Sequence, residues 1–318
     1  LEKKELIIGT RGSKLALWQA EWVKAELEKK YPFVSVSLEK IKTTGDKITD
    51  VPLAQVGGKG LFVKEIEEAL LSGRVHLAVH SMKDVPTEFP EGLSLVAIAK
   101  REDPRDALIS NNNVLLKDLP KGAKVGTSSL RRQAQLLNLR PDLEISQLRG
   151  NLDTRLRKLD EGLYDAIMLA GAGVNRLGWQ DRITELLSPE IFLPAIGQGA
   201  IGIETRIDDE QTNELIAFFD HRETSRAVRA ERALLKRLEG GCQVPIAAYG
   251  TIDEGGVDMT LTGLVASTDG LTIIKDSIKG PVAEAEALGT ALAESLLDKG
   301  AWDILKDLYD LKPSDSAS

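Results

Sequence analysis

"IIGTRGSKLALWQA" (Ile7–Ala20) and "KVGTSSLRRQAQLL" (Lys124–Leu137) read as two copies of one local plan. Each has a short apolar strand, Gly-Thr, a serine and a basic residue, then an amphipathic helix. Two segments opening this way predict two similar α/β lobes. In the first, Leu6–Gly9 is a strand and Ser13–Lys30 a helix with Leu15, Trp18, Trp22 and Ala25 on one face. Strands are expected at Val34–Ile41, Leu77–His80 and Leu93–Ala99, with a helix over Leu61–Leu71. In the second, strands Glu144–Leu148 and Asp165–Leu169 flank a helix over Asp153–Glu161. This rhythm implies mainly parallel, helix-covered sheets. "AIGIET" (Ala200–Thr205) reads as a strand returning to the first lobe, so paired crossovers would leave a cleft between the lobes.

The last hundred residues change character. A helix over Glu223–Leu238 precedes strands Val244–Ile252, Val257–Ser267 and Leu271–Ile278, joined by "DEGG" and "DG" turns. Those turns make an antiparallel meander, closed by an alanine-rich helix over Val282–Asp298. The expected division is 1–99 with 200–217, then 105–193, then 222–318, with crossovers near 100–104, 194–199 and 218–221. The expected class is α/β: two lobes of the periplasmic-binding-protein kind with mixed, mainly parallel sheets, plus a small C-terminal α+β domain carrying a three-stranded antiparallel sheet.

A chain of 318 residues exceeds one ordinary domain. Its net charge of −8 argues against nucleic acid or an anionic membrane surface as partner. No apolar run reaches membrane-spanning length. The single cysteine cannot form an internal disulfide, which suits a reducing compartment. The opening "LEKKELIIGT" has no signal-peptide core, so a cytoplasmic protein is expected.

In open α/β sheets ligands bind beyond the carboxyl ends of the strands. Those positions hold Arg11 and Ser13, then Ser81, Lys83 and Asp84. The second lobe adds Thr127, Ser128, Ser129, Arg131 and Arg132, then Arg149, Arg155 and Arg176. Helix starts favour anions, and each arginine offers a planar fork that fits carboxylate or phosphate. Taken singly, each arginine is more commonly a surface ion pair of small energetic weight. Jointly, in an acidic protein, they describe a cleft for a polyanion. For the serines and threonine a plain helix N-cap serves equally well, and Asp84 also fits a turn before Pro86. Thr43–Gly60 is polar and glycine-rich, either a mobile lid or a surface loop. His76, His80 and His221 form no metal-ligand pattern, and no metal is expected. Cys242, in "LEGGCQVPIAAY", is either a small buried apolar residue or, after Gly240 and Gly241, a tether facing the cleft.

Eight motifs in order, "GTRGSKLAL", "GGKGLFVKEIE", "AVHSMKDVP", "REDPRDAL", "VGTSSLRRQAQL", "LRGNLDTRL", "LPAIGQGAIGIE" and "LEGGCQVPIAAYG", resemble the porphobilinogen deaminase (hydroxymethylbilane synthase) family. The resemblance runs from about Ile7 to the final helix. It implies a transferase that joins four porphobilinogens head to tail, releasing ammonia at each step, in haem and tetrapyrrole biosynthesis. It also implies a dipyrromethane cofactor in thioether linkage to Cys242, serving as primer. With two carboxylates per ring, a six-ring chain carries about twelve, which need cationic partners. By motif, Asp84 is the catalytic carboxylate. Lys83, Asp84, Thr127, Ser128, Ser129, Arg131, Arg132, Leu169, Ala170 and Gly171 hold the cofactor. Arg11, Ser13, Arg149, Arg155, Arg176, Gln198 and Gly199 hold substrate, while Lys59 and Phe62 close the lid. Gln55 stands where some bacterial members carry a basic residue. A monomer is implied, with product passed to uroporphyrinogen-III synthase. The competing reading is a two-lobed anion- or solute-binding protein without catalysis, since fold does not fix function.

Overall fold

Each copy of the repeated plan runs out of a strand into a helix capped by its serine in the computed structural model, which describes residues 4–47, 60–238 and 244–310. β1 (Lys4–Thr10) leads into α1 (Lys14–Lys30), where the Ser13 hydroxyl accepts from the Ala16 N–H. β2 (Val34–Lys40) pairs in parallel along β1. A helical turn, α2 (Thr44–Lys47), follows; residues 48–59 of the expected lid lie outside the described residues. α3 (Lys64–Leu71) starts at Lys64 rather than Leu61, because residues 60–63 form a turn about Gly60, at φ +83°. β3 (Leu77–Ser81) and β4 (Leu93–Ile98) complete this stretch.

The second lobe opens with β5 (Asp106–Ser110), directly after the charged crossover expected near 100–104. β6 (Lys124–Gly126) then enters α4 (Leu130–Leu139), with the Ser129 hydroxyl accepting from the Arg132 N–H. β7 (Glu144–Ser146), α5 (Leu152–Asp160), β8 (Ala166–Ala170), α6 (Gly171–Arg176) and β9 (Glu185–Leu187) follow. β10 (Ile201–Arg206) crosses back to the first sheet as expected, and α7 (Glu210–Ile216) covers it. The sheet orders are β2-β1-β3-β10-β4 and β7-β6-β8-β5-β9. In both, three parallel strands are followed by one that runs antiparallel to both its neighbours. The repeat read from the sequence is therefore a repeat of topology: β1 and β6 occupy the same place. Gly126 shows why a glycine ends β6, since an added Cβ would lie 2.9 Å from the Tyr164 ring.

The C-terminal unit begins with α8 (Arg222–Arg237), capped by His221. β11 (Ile246–Ile252), β12 (Asp258–Ala266) and β13 (Ile273–Pro281) form the expected antiparallel meander. α9 (Ala285–Asp298) packs on α8, and a further helix, α10 (Ala301–Asp310), follows it. Side chains of α4 clasp the β12–β13 turn: Gln133 donates to Thr268 O at 3.0 Å and Asn138 to Gly270 O at 3.0 Å. No helix among the described residues is long and apolar enough to cross a membrane.

The first lobe buries an unusual polar trio. His80 Nε2 lies 2.8 Å from Glu204 Oε2, and Glu204 Oε1 has no hydrogen-bond partner among the described residues. Glu67 is buried nearby on α3, which packs against β1, β3, β4 and β10. Burial, reinforced by the Glu204 charge and partly offset by His80, pushes the Glu67 carboxyl up to about 7. The folded protein then holds this proton more tightly than the unfolded chain. Stability consequently falls as pH rises from the ordinary glutamate range to about 7. Glu67→Gln keeps the neutral shape and should flatten that part of the profile. Urea unfolding of both proteins at pH 5 and pH 8 checks this, and an unchanged difference between the two pH values would contradict it.

Candidate functional site

Between the two five-stranded sheets lies a cavity of about 1100 Å³, just above the usual range of small-ligand sites. Among its described lining residues, eleven are Lys or Arg, against the carboxylates Asp46, Asp84 and Asp153. Arg11, Ser13, Phe62, Lys83, Asp84, Ser128, Ser129, Arg131, Arg132, Arg149, Arg155, Leu169, Ala170, Arg176, Gln198 and Gly199 all face it. Thr127 and Gly171 do not. The buried Thr127 hydroxyl accepts from the Ser129 N–H, and Gly171 donates its N–H to Arg105 O. Cys242, Lys59 and Gln55 lie outside the described residues.

The strand-to-helix plan explains the wall. Short turns after β1 and β6 aim the starts of α1 and α4 at the cavity, with the capping serines at its surface. Ser128 turns inward and donates to Leu148 O at 2.8 Å. Arg131 and Arg132, in the first turn of α4, converge on Asp106, the fully buried first residue of β5. Arg131 Nη1 donates to Asp106 Oδ2 at 2.7 Å and to Leu193 O at 2.7 Å. Arg132 Nη2 reaches Asp106 Oδ1 at 2.7 Å, and its Nη1 donates to Met168 O at 3.0 Å. Burial alone would raise the Asp106 carboxyl, but the two guanidiniums overcome it and hold the group well below the usual carboxylate range. Two cations sharing one anion leave a net positive charge at the cavity wall. Asp106 was not singled out from the sequence, where it is one acidic residue in a charged run.

Other cations are held less completely. Arg155 Nε donates to Gly150 O at 2.8 Å, and burial, with the neighbouring Arg132 charge, pushes Arg155 down to about 10. Arg176 donates to Gly199 O at 2.7 Å, stands 5.8 Å from the Trp18 ring centre and is pushed down by burial to about 10. Burial lowers Arg149 as well. Arg11 is gripped along one edge by Asp46, with its guanidinium 4.3 Å from the centre of the Phe62 ring. Asp46 in turn accepts from the Thr43 hydroxyl at 2.8 Å, another partner that sequence reading missed. For Arg155 and Arg176 burial outweighs the nearby Asp84 and Glu102 charges, so an added anion would relieve these desolvated guanidiniums.

Lys83 and Asp84 occupy a 3₁₀ turn, Met82–Asp84, at the end of β3. Met82 is nested against Gly197, at φ +69°, where an added Cβ would stand 2.8 Å from the Met82 Cβ. That contact brings the 82–84 turn and the 197–199 wall together. Burial pushes Lys83 down to about 8, against the pull of Asp84. Asp84 faces the cavity with no salt bridge within 4 Å among the described residues, in the combined field of Lys83, Arg132 and Arg155. A carboxylate so placed in a cationic cavity can stabilise a cation that forms on a bound anionic ligand, or take up a proton from it.

The comparisons with known proteins agree along the chain. Residues 6–214 match the family model described as "Porphobilinogen deaminase, dipyromethane cofactor binding domain", and residues 225–298 match "Porphobilinogen deaminase, C-terminal domain". A curated Porphobilinogen deaminase of Geobacter metallireducens is 64% identical over 306 residues, covering 96% of this chain and 95% of that protein. That of Geobacter sulfurreducens is 63% identical over 309 residues, covering 97% and 96%. Among solved structures, a TRAP periplasmic solute binding protein from Desulfovibrio salexigens aligns with TM-score 0.42 and 11% identity, over 69% of this chain and 72% of that one. The relatives do not favour the reading as a solute-binding protein without catalysis. With both family models matched in order and relatives above 60% identity over nearly the whole length, the chain belongs to the porphobilinogen deaminase family.

Proposed function

We propose that this protein is a hydroxymethylbilane synthase, condensing four porphobilinogens head to tail into a linear tetrapyrrole with release of ammonia at each addition. The observation that carries this reading is Asp84, a cavity carboxylate surrounded by the fields of Lys83, Arg132 and Arg155. The cavity fits a dipyrromethane cofactor, since guanidiniums at its wall are desolvated without enough anions to match them. When bound, that group supplies the terminal pyrrole carbon to which units are added. Cys242 is its covalent anchor in this reading.

Within the cavity the residues divide by chemistry. Arg131, Arg132, Arg155 and Lys83, with the hydroxyl of Ser129, hold the carboxylates of the cofactor, and Ser128, whose hydroxyl is used on Leu148 O, offers its backbone N–H. Thr127 supports Ser129 from behind the wall, and the backbone at Leu169 and Ala170 completes this side, with Gly171 behind it, its N–H on Arg105 O. Arg11, Ser13, Arg149, Arg176, Gln198 and Gly199 receive substrate carboxylates, Arg11 by an edge that Asp46 leaves open, with Lys59 and Phe62 shielding it. Each incoming unit loses ammonia and leaves positive charge on its own pyrrole; Asp84 stabilises that charge and then accepts a proton. The proposed division into 1–99 with 200–217, 105–193 and 222–318 gives one lobe to each wall and the anchor to the third unit. The protein is read as a cytoplasmic monomer that hands its product to uroporphyrinogen-III synthase.

The test is incubation with porphobilinogen. Release of one ammonia per porphobilinogen consumed, with a four-ring product, supports the proposal. Tight binding with no ammonia released would refute it.

A further inference from the structure

We propose that Arg232 is a positioning residue for Asp84, fixing from α8 the backbone on which the reacting carboxylate stands. The role of Asp84 is taken from the proposed function; the grip of Arg232 on this backbone is independent of it. Arg232 Nη1 donates to Val85 O at 3.1 Å and Nη2 to Pro86 O at 2.6 Å, the two carbonyls that follow Asp84. Its guanidinium also stands 5.6 Å from the centre of the Phe89 ring. One turn earlier on the same face, Val228 is fully buried in a cluster with Met82 and Val85, the side chains on either side of Lys83 and Asp84. The 82–86 turn is thus held from beneath by apolar contact and from the side by a two-pronged donor.

A short 3₁₀ turn of three residues has little internal hydrogen bonding to hold its shape. The bond from Val85 N–H to Met82 O, at 3.2 Å, closes its end. External donors therefore set where Asp84 points, and the planar fork of arginine suits two adjacent carbonyls better than the single ammonium of lysine. The neighbouring Glu231 accepts from the Gly197 N–H at 2.7 Å, so consecutive residues of α8 grip both the reaction turn and the wall facing it. The C-terminal unit becomes a strut that fixes the carboxylate relative to that wall.

The test uses the full-length, cofactor-loaded protein and the variants Arg232→Met and Arg232→Lys. Arg232→Met retains the apolar stem; its kcat should fall about 30-fold or more with KM within about twofold, since small displacements of a reacting group cost rates of this order. Arg232→Lys should recover part of that loss. Intact mass should show the cofactor still attached in both. Amide exchange over residues 82–89 should quicken in Arg232→Met and less so in Arg232→Lys, a readout that needs no turnover. Unchanged exchange in Arg232→Met overturns the proposal, as does a kcat within about twofold of the parent or a loss that lysine does not restore. If the parent shows no turnover while the exchange pattern is as expected, the proposed function fails and the grip of Arg232 on the turn stands.

Discussion

Asp84→Asn should keep its cofactor and lose most of its turnover. Asparagine preserves the shape of the side chain and removes its charge. The positive field of Lys83, Arg132 and Arg155 around that position is then opposed by one negative charge fewer, so retention of an anionic cofactor is not weakened. A cation forming on the substrate loses its counter-charge, and a proton leaving the ring loses its acceptor. Losses of this kind amount to about 100- to 1,000-fold in kcat. Steady-state ammonia release, together with intact mass to confirm loading, measures it. A velocity close to the parent's would remove Asp84 from the mechanism.

Asp106→Asn should be the most destabilising substitution at the cavity wall. Asp106 has no solvent exposure and is shared as counter-charge by Arg131 and Arg132. Removing one member of a buried ion pair leaves uncompensated charge and costs about 3–5 kcal/mol. The effect is best read in a Cys242→Ser background, where no bound carboxylates can take the place of Asp106. Because its folded carboxyl lies below the ordinary aspartate range, the stability it contributes is present at neutral pH and is lost as pH falls below that range. Denaturant unfolding at pH 7 should show the full difference between parent and variant, and the two should converge in acid. A difference under about 1 kcal/mol at pH 7 would mean that the arginines find other partners.

What could be read from the sequence follows the physics of each element. β1, β2 and β10 are long enough for their apolar runs to stand out, and β6 and α4 were found because they repeat β1 and α1. β5 was hidden because it begins with Asp106, straight after "REDPR", and its burial depends on the two arginines that neutralise it. β9 has three residues, too few for any period, and α6 carries two glycines in six residues. The strand-exit rule located most of the cationic wall, since a parallel sheet puts all its strand ends on one edge. Thr127, a strand-exit residue, and Gly171, implied only by the resemblance, stand off the cavity lining: the Thr127 hydroxyl accepts from the Ser129 N–H within its turn, and the Gly171 N–H donates to Arg105 O. Asp46 sits in a stretch without periodicity, and Arg232 lies on a helix that reads as an ordinary amphipathic one. Both become visible only when the chain brings them to Arg11 and to the carbonyls of Val85 and Pro86.

The account depends above all on a primer bonded to the one thiol of the chain. Intact-mass analysis of the purified protein under denaturing conditions, beside Cys242→Ser, addresses it directly. The parent should be heavier than its bare chain by two linked pyrrole units, and the serine variant should show the chain mass alone and form no tetrapyrrole. An active parent with no added mass, or a serine variant with full activity, would contradict it.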